Sequence, residues 1–560
     1  MNKLLVAATS AIALLGCSET PSPADLVVTD AVIYTQSDSR EVVESMAIRD
    51  GEVVWIGLSE NAAQYIGEST RILDLDGAPV YPGLIEGHGH LSGLGSALVT
   101  LDLSSATTWS ELLSIVERAE HETEPGEWIV GWGWHQSKWS DDFEMVAGFP
   151  VHHQLSEITP DNPVYLAHAS GHAALVNERA MMLAGITSTT EVEGDGIVVK
   201  FDSGEPTGAL NETAAQLVEP LAYPATVETA VANIVRAGEF AITQGITSFH
   251  DAGASIAELE AAERLASEGR LPVRVYTMIS GSNEAMLSNW LSRDPLINGY
   301  DRFLTVRSIK AYGDGALGSR GAWLLEPYTD APDVTGMPIM PMGDIHELAR
   351  RALAAGYQLN VHAIGDRANR EVLDRFEQSL REANVPNHRF RIEHAQHLHP
   401  DDIERFAELG VIPSMQTIHM SSDRPWAIDR LGEQRIEEGA YVWADLLSSG
   451  AVIVNGTDVP VEPINPIANF FAAVTRQTLL GTPDGGYEPA QKMTRQQALD
   501  SMTRAPAYGA FEEHFKGQLS PGFVADFVVL SQDIMTVPDD QILATEVTMT
   551  VIDGGVRYER

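Results

Sequence analysis

His88 and His90 stand one residue apart at the end of the apolar stretch Tyr81-Pro82-Gly83-Leu84-Ile85-Glu86-Gly87. Residues i and i+2 of a strand share a side, so both imidazoles can address one metal ion. Four more polar groups occupy the same setting. Lys310 ends the run 304–310, His362 ends 357–362, His394 ends 390–394, and Asp458 follows 451–457. Neutral imidazoles and carboxylates suit zinc and its first-row neighbours, and no thiolate set is present for a structural zinc finger. The expected ligands are therefore His88, His90, His362, His394 and Asp458.

Lys310 is out of place among them as a cation. Burial can strip its proton, and the neutral amine can add CO2 to give a carbamate, an anion able to bridge two metals. The alternative is an ordinary lysine holding a carboxylate such as Asp314. Two divalent ions are expected, zinc first, with manganese, iron or nickel as substitutes.

The elements that must position these groups are strands. Eight strand-like runs, 79–85, 245–250, 271–278, 304–310, 357–362, 390–394, 411–416 and 451–456, alternate for the most part with helical stretches. That is the count for an α/β (β/α)₈ TIM-like barrel, and catalytic groups of such barrels stand at the C-terminal strand ends. About 150 residues separate the first two runs, too many for an unstructured loop. Residues 91–244 are thus expected to form an inserted subdomain over the active site, within a barrel spanning 79–518. Short alternating strands in 25–78 and again in 519–560 predict a small β-sandwich domain built from both chain ends.

Other residues, Asp314 among them, are candidates for the substrate side. His250 ends the second run and so would face the mouth. The insert carries Gly131-Trp132-Gly133-Trp134-His135, in which Trp134 and His135 could line a pocket or form the insert's own core. His172 lies in Ser-Gly-His-Ala-Ala-Leu-Val-Asn (170–177).

The chain has 560 residues and a net charge of −43, from 79 acidic against 36 basic residues. Such a surface repels nucleic acid and anionic membrane; it serves solubility or attracts a cationic partner. The start Met1-Asn2-Lys3, an apolar run over 4–15 and Gly16-Cys17 read as an export signal, too short to span a bilayer. Leu14-Leu15-Gly16-Cys17 resembles the bacterial lipoprotein box, which makes Cys17 the lipidation site, residues 18–24 a tether, and the mature protein an exported one anchored to the bacterial envelope, at the outer membrane, by lipid alone. Cys17 is the single cysteine, so no intramolecular disulfide can form.

Several stretches together resemble the amidohydrolase superfamily, and within it the third amidohydrolase family, which includes N-substituted formamide deformylase-like proteins. They are Tyr-Pro-Gly-Leu-Ile-Glu-Gly-His-Gly-His (81–90), the segment 170–177, Gly-Glu-Pro-Thr-Gly (204–208), Gly-Ile-Thr-Ser-Phe-His-Asp-Ala-Gly (245–253), Asp-Gly-Ala-Leu-Gly-Ser-Arg (314–320), Val-His-Ala-Ile-Gly-Asp-Arg-Ala (361–368), Arg-Ile-Glu-His-Ala-Gln (391–396) and Gly-Thr-Asp-Val-Pro-Val-Glu (456–462). Glu86 and Ser170 depart from the Asp common in the family at both places. The resemblance implies that the five residues above are ligands and that Lys310 is the bridging carbamate. It also implies cleavage of a C–N bond in a small amide, such as a formamide, N-acyl or cyclic amide. A hydroxide bridging the metals would attack, Asp458 would shuttle the proton, and His172 or His250 would steady the oxyanion. A lactone or ester hydrolase on the same site, and a non-catalytic surface-binding lipoprotein, remain open alternatives, as does a homodimer.

Overall fold

The computed structural model describes residues 21–170, 172–192 and 196–560. The expected export signal over residues 1–17, with Cys17, lies outside the described residues. No described helix is long and apolar enough to cross a membrane. Pro23 and Ala24, expected in the tether, are already docked: Pro23 O accepts from Arg49 Nε at 2.9 Å, and the Ala24 N–H donates to Tyr65 O at 2.8 Å.

The centre is a barrel of parallel strands: β1 (Leu84–Gly89), β2 (Ile246–Ala254), β3 (Arg274–Ser280), β4 (Leu304–Tyr312), β5 (Gln358–Ala363), β6 (Arg391–His394), β7 (Ile412–Met415) and β8 (Val454–Asn455). They pair in sequence order. Their β-branched and aliphatic residues suit a sheet buried on both faces. No regular ladder joins β8 to β1. The circle closes instead just beyond β8, where the Asp458 N–H donates to His88 O at 2.7 Å and the Thr457 N–H to Glu86 Oε1 at 2.6 Å. A Cβ on Gly87 would lie 2.4 Å from Asn455 O, and one on Gly456 2.4 Å from His88 N. Only glycine permits that approach.

The first expected run is two strands. Pro79–Pro82 pairs with Val32–Tyr34 and Phe527–Leu530 in a six-stranded sheet of the end domain, and β1 begins after Gly83. The chain passes from one sheet to the next with no polar residue between them, so the sequence shows one apolar run. The end domain packs this sheet on a four-stranded one containing Leu26–Thr29, Ser45–Arg49, Glu52–Gly57 and Arg71–Asp74. Val28, Ile33, Met46, Val80, Phe527 and Val551 fill the space between.

The insert is shorter than 91–244. Helix Leu91–Ala97 packs on helix Val227–Thr243 so closely that a Cβ on Gly95 would lie 2.1 Å from Asn233 O, and both belong to the barrel's outer layer. The described residues of 98–226 include a separate six-stranded sheet with apolar clusters on both faces.

Arg274, at the foot of β3, ties the barrel to the end domain. Its guanidinium donates to Asp526 at 2.8 and 3.0 Å and to Asp553 at 3.1 Å, and both Arg274 and Asp526 are buried. Removing one partner of a buried pair strands the other charge. Arg274→Met is expected to cost about 3–5 kcal/mol, read as a lower urea midpoint of unfolding.

Candidate metal centre

Six side chains from the strand ends meet at one cavity of about 420 Å³: His88, His90, Lys310, His362, His394 and Asp458. His88, Lys310, His394 and Asp458 are buried, while His90 and His362 are half-buried. Ligand atoms of His88, His394 and Asp458 all lie within 4.8 Å of one another. His90 Nε2 is 3.1 Å and His88 Nε2 3.5 Å from Asp458 Oδ1. Lys310 Nζ is 3.3 Å from His88 Nε2, and the His362 and His394 rings are 4.4 Å apart.

The far nitrogens of three imidazoles are held from behind. His88 Nδ1 is bonded to Glu393 Oε2, His90 Nδ1 to Ala252 O at 2.9 Å, and His394 Nδ1 to Gln416 Oε1 at 2.8 Å. Each bond fixes ring and tautomer and turns Nε2 toward the cavity, as metal-binding histidines require. Glu393 is in turn gripped by Arg391, Nε to Oε1 at 2.7 Å and Nη2 to Oε2 at 3.0 Å. Adjacent strand residues normally face opposite ways, yet Glu393 and His394 both point inward. His394 achieves this with φ of 76°, and Asp458 likewise has φ of 60°. Such backbone is costly for non-glycine residues and concentrates at functional sites.

The electrostatics favour neutral imidazoles at His88, His362 and His394 beside a strong acid, whereas contact with Asp458 outweighs burial and raises His90. Burial, helped by the Lys310 charge, brings His88 down to about 4 and His362 to about 3. Burial and the neighbouring His362 hold His394 well below its ordinary value. Burial lowers Lys310 to about 8, with Glu393 and Asp458 opposing it. Burial would raise Asp458, but the His90 contact and the other imidazoles outweigh it and keep the carboxylate ionised. His362 Nε2 is buried without a hydrogen-bond partner. Imidazole lone pairs, an ionised carboxylate and this orphaned nitrogen in one pocket fit divalent cations.

Residues 71–558 match the sequence profile of the amidohydrolase family. The chain belongs to that family. The protein LONG AFTER FAR-RED 3 of Arabidopsis thaliana is 33% identical over 522 residues, covering 91% of this chain and 87% of the plant protein. An N-substituted formamide deformylase of Arthrobacter pascens is 26% identical over 547 residues, covering 96% of this chain and 98% of its own. Among solved structures, an uncharacterized metal-dependent hydrolase from Pyrococcus horikoshii OT3 superposes with a TM-score of 0.76 at 28% identity, over 92% of this chain and 99% of that one.

Other expected site residues of this amidohydrolase lie elsewhere. His172 is exposed and pairs with Glu212 at 3.0 Å. Trp134 is core of the insert, its Nε1–H bonded to Leu166 O at 2.8 Å, and His135 packs on His168. Among the described residues, no insert side chain lines the cavity, because the insert builds its own sheet beside the barrel. His250 is fully buried within the barrel and bonded through Nδ1 to Arg391 at 3.1 Å. Asp314 is not the partner of Lys310: it accepts three backbone N–H groups, from Trp323, Ile364 and Gly365, and stands 3.6 Å from His362 Nε2.

Sequence reasoning missed the supporting layer and one wall. Arg391 and Glu393 were visible as charges two apart inside an otherwise buried run. His419, Asp423 and Trp426 share one helical face by their spacing. Asp251, whose Oδ1 accepts the Leu91 N–H at 2.9 Å beside His90, lies in the stretch 245–253, but nothing in the sequence marked it as a neighbour of His90.

Gln416→Leu removes the acceptor behind His394. Metal affinity is expected to fall about 10–100-fold, measured by chelator competition, with the far-ultraviolet dichroism unchanged.

Proposed function

We propose that this chain is a metal-dependent hydrolase that cleaves the C–N bond of an amide-type small molecule. The observation that carries this reading is the convergence of four imidazoles, one lysine and one ionised aspartate on a single cavity at the C-terminal end of the barrel. His88, His90, His362, His394 and Asp458 would hold two divalent ions, zinc by preference. Lys310, neutral in part because burial lowers it to about 8, would add CO2 through Nζ, release a proton and so become an anionic carbamate, a further ligand for the metal. Bound there, the ions would supply Lewis acidity to a carbonyl and acidify water.

The chain's own residues do the rest. Asp458 accepts the proton of the attacking water at its carboxylate and returns it to the departing nitrogen, base first and acid second. Its positive φ and the Asp458 N–H bond to His88 O fix where that carboxylate stands. Glu393 and Gln416 keep His88 and His394 in the tautomer that leaves Nε2 free. Leu317, Ile364 and Trp426 shield the cavity with apolar surface, which strengthens charge interactions inside it. Similarity to the N-substituted formamide deformylase of Arthrobacter pascens supports an amide substrate.

Export and lipid attachment at Cys17 rest on residues 1–17 alone; incorporation of labelled palmitate that survives Cys17→Ala would contradict them. For the chemistry, Asp458→Asn is expected to lower kcat by about 10²–10⁴-fold on a panel of N-alkyl formamides and acetamides while the protein still binds metal. Turnover near wild type would exclude Asp458 as the proton carrier.

A further inference from the structure

One wall of the cavity lies beyond the proposed ligands, and its polar groups have no part in the chemistry above. Helix Thr417–Leu431 presents His419, Asp423 and Trp426 to it at spacings of one and two turns, and Glu462, four residues after Asp458, completes it. The wall's polar groups are short of partners. Asp423 Oδ2 accepts only long bonds, from Gln396 Nε2 at 3.4 Å and Tyr441 OH at 3.3 Å, because Gln396 gives its short bond of 2.6 Å to Tyr441. Glu462 Oε1 accepts from Ser422 Oγ. His419 is 9% exposed, lines the cavity, and its Nε2 has no hydrogen-bond partner. A buried, unpartnered nitrogen beside two under-used carboxylates is what a site for a hydrogen-bonding ligand leaves behind when empty of protein partners.

The sign of that ligand follows from the charges. Among the described residues lining the cavity, Lys310 at the floor is the one basic side chain besides the histidines. Arg430, 5.9 Å from the Trp426 ring, is occupied by Asp330 and does not line the cavity. An anionic group placed against Asp423 and Glu462 would meet like charge in its immediate partners, since Lys310 and the proposed metal ligands stand at the floor of the cavity. A cationic group would gain charge-assisted hydrogen bonds and the face of Trp426, and the net charge of −43 would draw it toward the protein.

We propose that this amidohydrolase selects substrates bearing a positively charged amino or guanidino group remote from the scissile bond, held by Asp423 and Glu462 with His419 as a further hydrogen-bonding partner. The proposal rests on the hydrolase reading of the same cavity and names its substrate class. The wall's distance from the ligands sets the chain length between the two groups.

The test uses the metal-loaded full chain and three matched sets of amides over a range of chain lengths: N-(ω-aminoalkyl)acetamides, N-alkylacetamides and ω-acetamidoalkanoates. Binding is read by calorimetry and cleavage by kcat/KM. At the best length the cation is expected to exceed the neutral amide by about 10–100-fold, with the anion weakest. Asp423→Asn should reduce the cation-to-neutral ratio at least about fivefold, and so should Glu462→Gln, which sits at a half-exposed position and tolerates the change. The proposal is overturned if the neutral or anionic set binds as well as the cationic one, if none binds, or if both variants keep the wild-type ratio. A charge preference in binding with no cleavage would sustain the proposal and sink the C–N hydrolase reading; cleavage without preference would do the reverse.

Discussion

The closest approach of β1 and β8 is the constraint on which the site depends. Two glycines, Gly87 and Gly456, let the strands draw nearer than any side chain would allow. The seam is then sealed by Glu86, whose carboxylate accepts the Thr457 N–H and, at 2.8 Å, its hydroxyl. Glu86 is buried, and burial pushes it up to about 8 in spite of those bonds. Through the seam, His88 and His90 from one end of the barrel sequence meet Asp458 from the other.

Beneath the seam lies a fully buried polar chain: the ion pair of Arg391 with Glu393, and the neutral imidazole of His88. A buried ion pair adds little net stability, since desolvation offsets most of the attraction. Its value here is orientation. Arg391 also donates to Gly87 O at 2.8 Å and Ser414 Oγ at 2.6 Å, so one guanidinium links β1, β6 and β7 to the carboxylate that aims His88. Burial would raise Glu393, but Arg391 and His88 keep it ionised. The strained residues at His394 and Asp458 belong to the same design, because both turn ligands against the natural alternation of a strand.

The strand-end residues were readable in the sequence because a parallel barrel writes each strand as an apolar run and its catalytic group as the polar residue that ends it. His362 and His394 stand out for that reason alone. The boundaries were harder. Pro79–Pro82 and β1 merge into one run since both are buried, and β8 is reduced to two residues whose role is closure rather than pairing. The insert misled for a different cause: aromatic residues such as Trp134 suit a pocket and a small core equally well, and only tertiary packing chooses. His250 looked like a mouth residue by its place at a run's end, but β2 continues to Ala254, which leaves the imidazole inside the barrel. The wall of His419, Asp423 and Trp426 lies on a helix after the seventh strand, outside the strand-end rule.

The central claim is that this rim holds two metal ions per chain. Elemental analysis of the signal-free protein, purified without chelator from cells supplied with zinc and manganese, tests it directly. Two divalent ions per chain are predicted by four imidazoles, Asp458 and a carbamate on Lys310 acting together. A single ion would leave Lys310 without a bridging role and contradict the paired site. A folded protein that holds none, and takes up none when metal is added, would contradict metal-dependent chemistry at this cavity altogether.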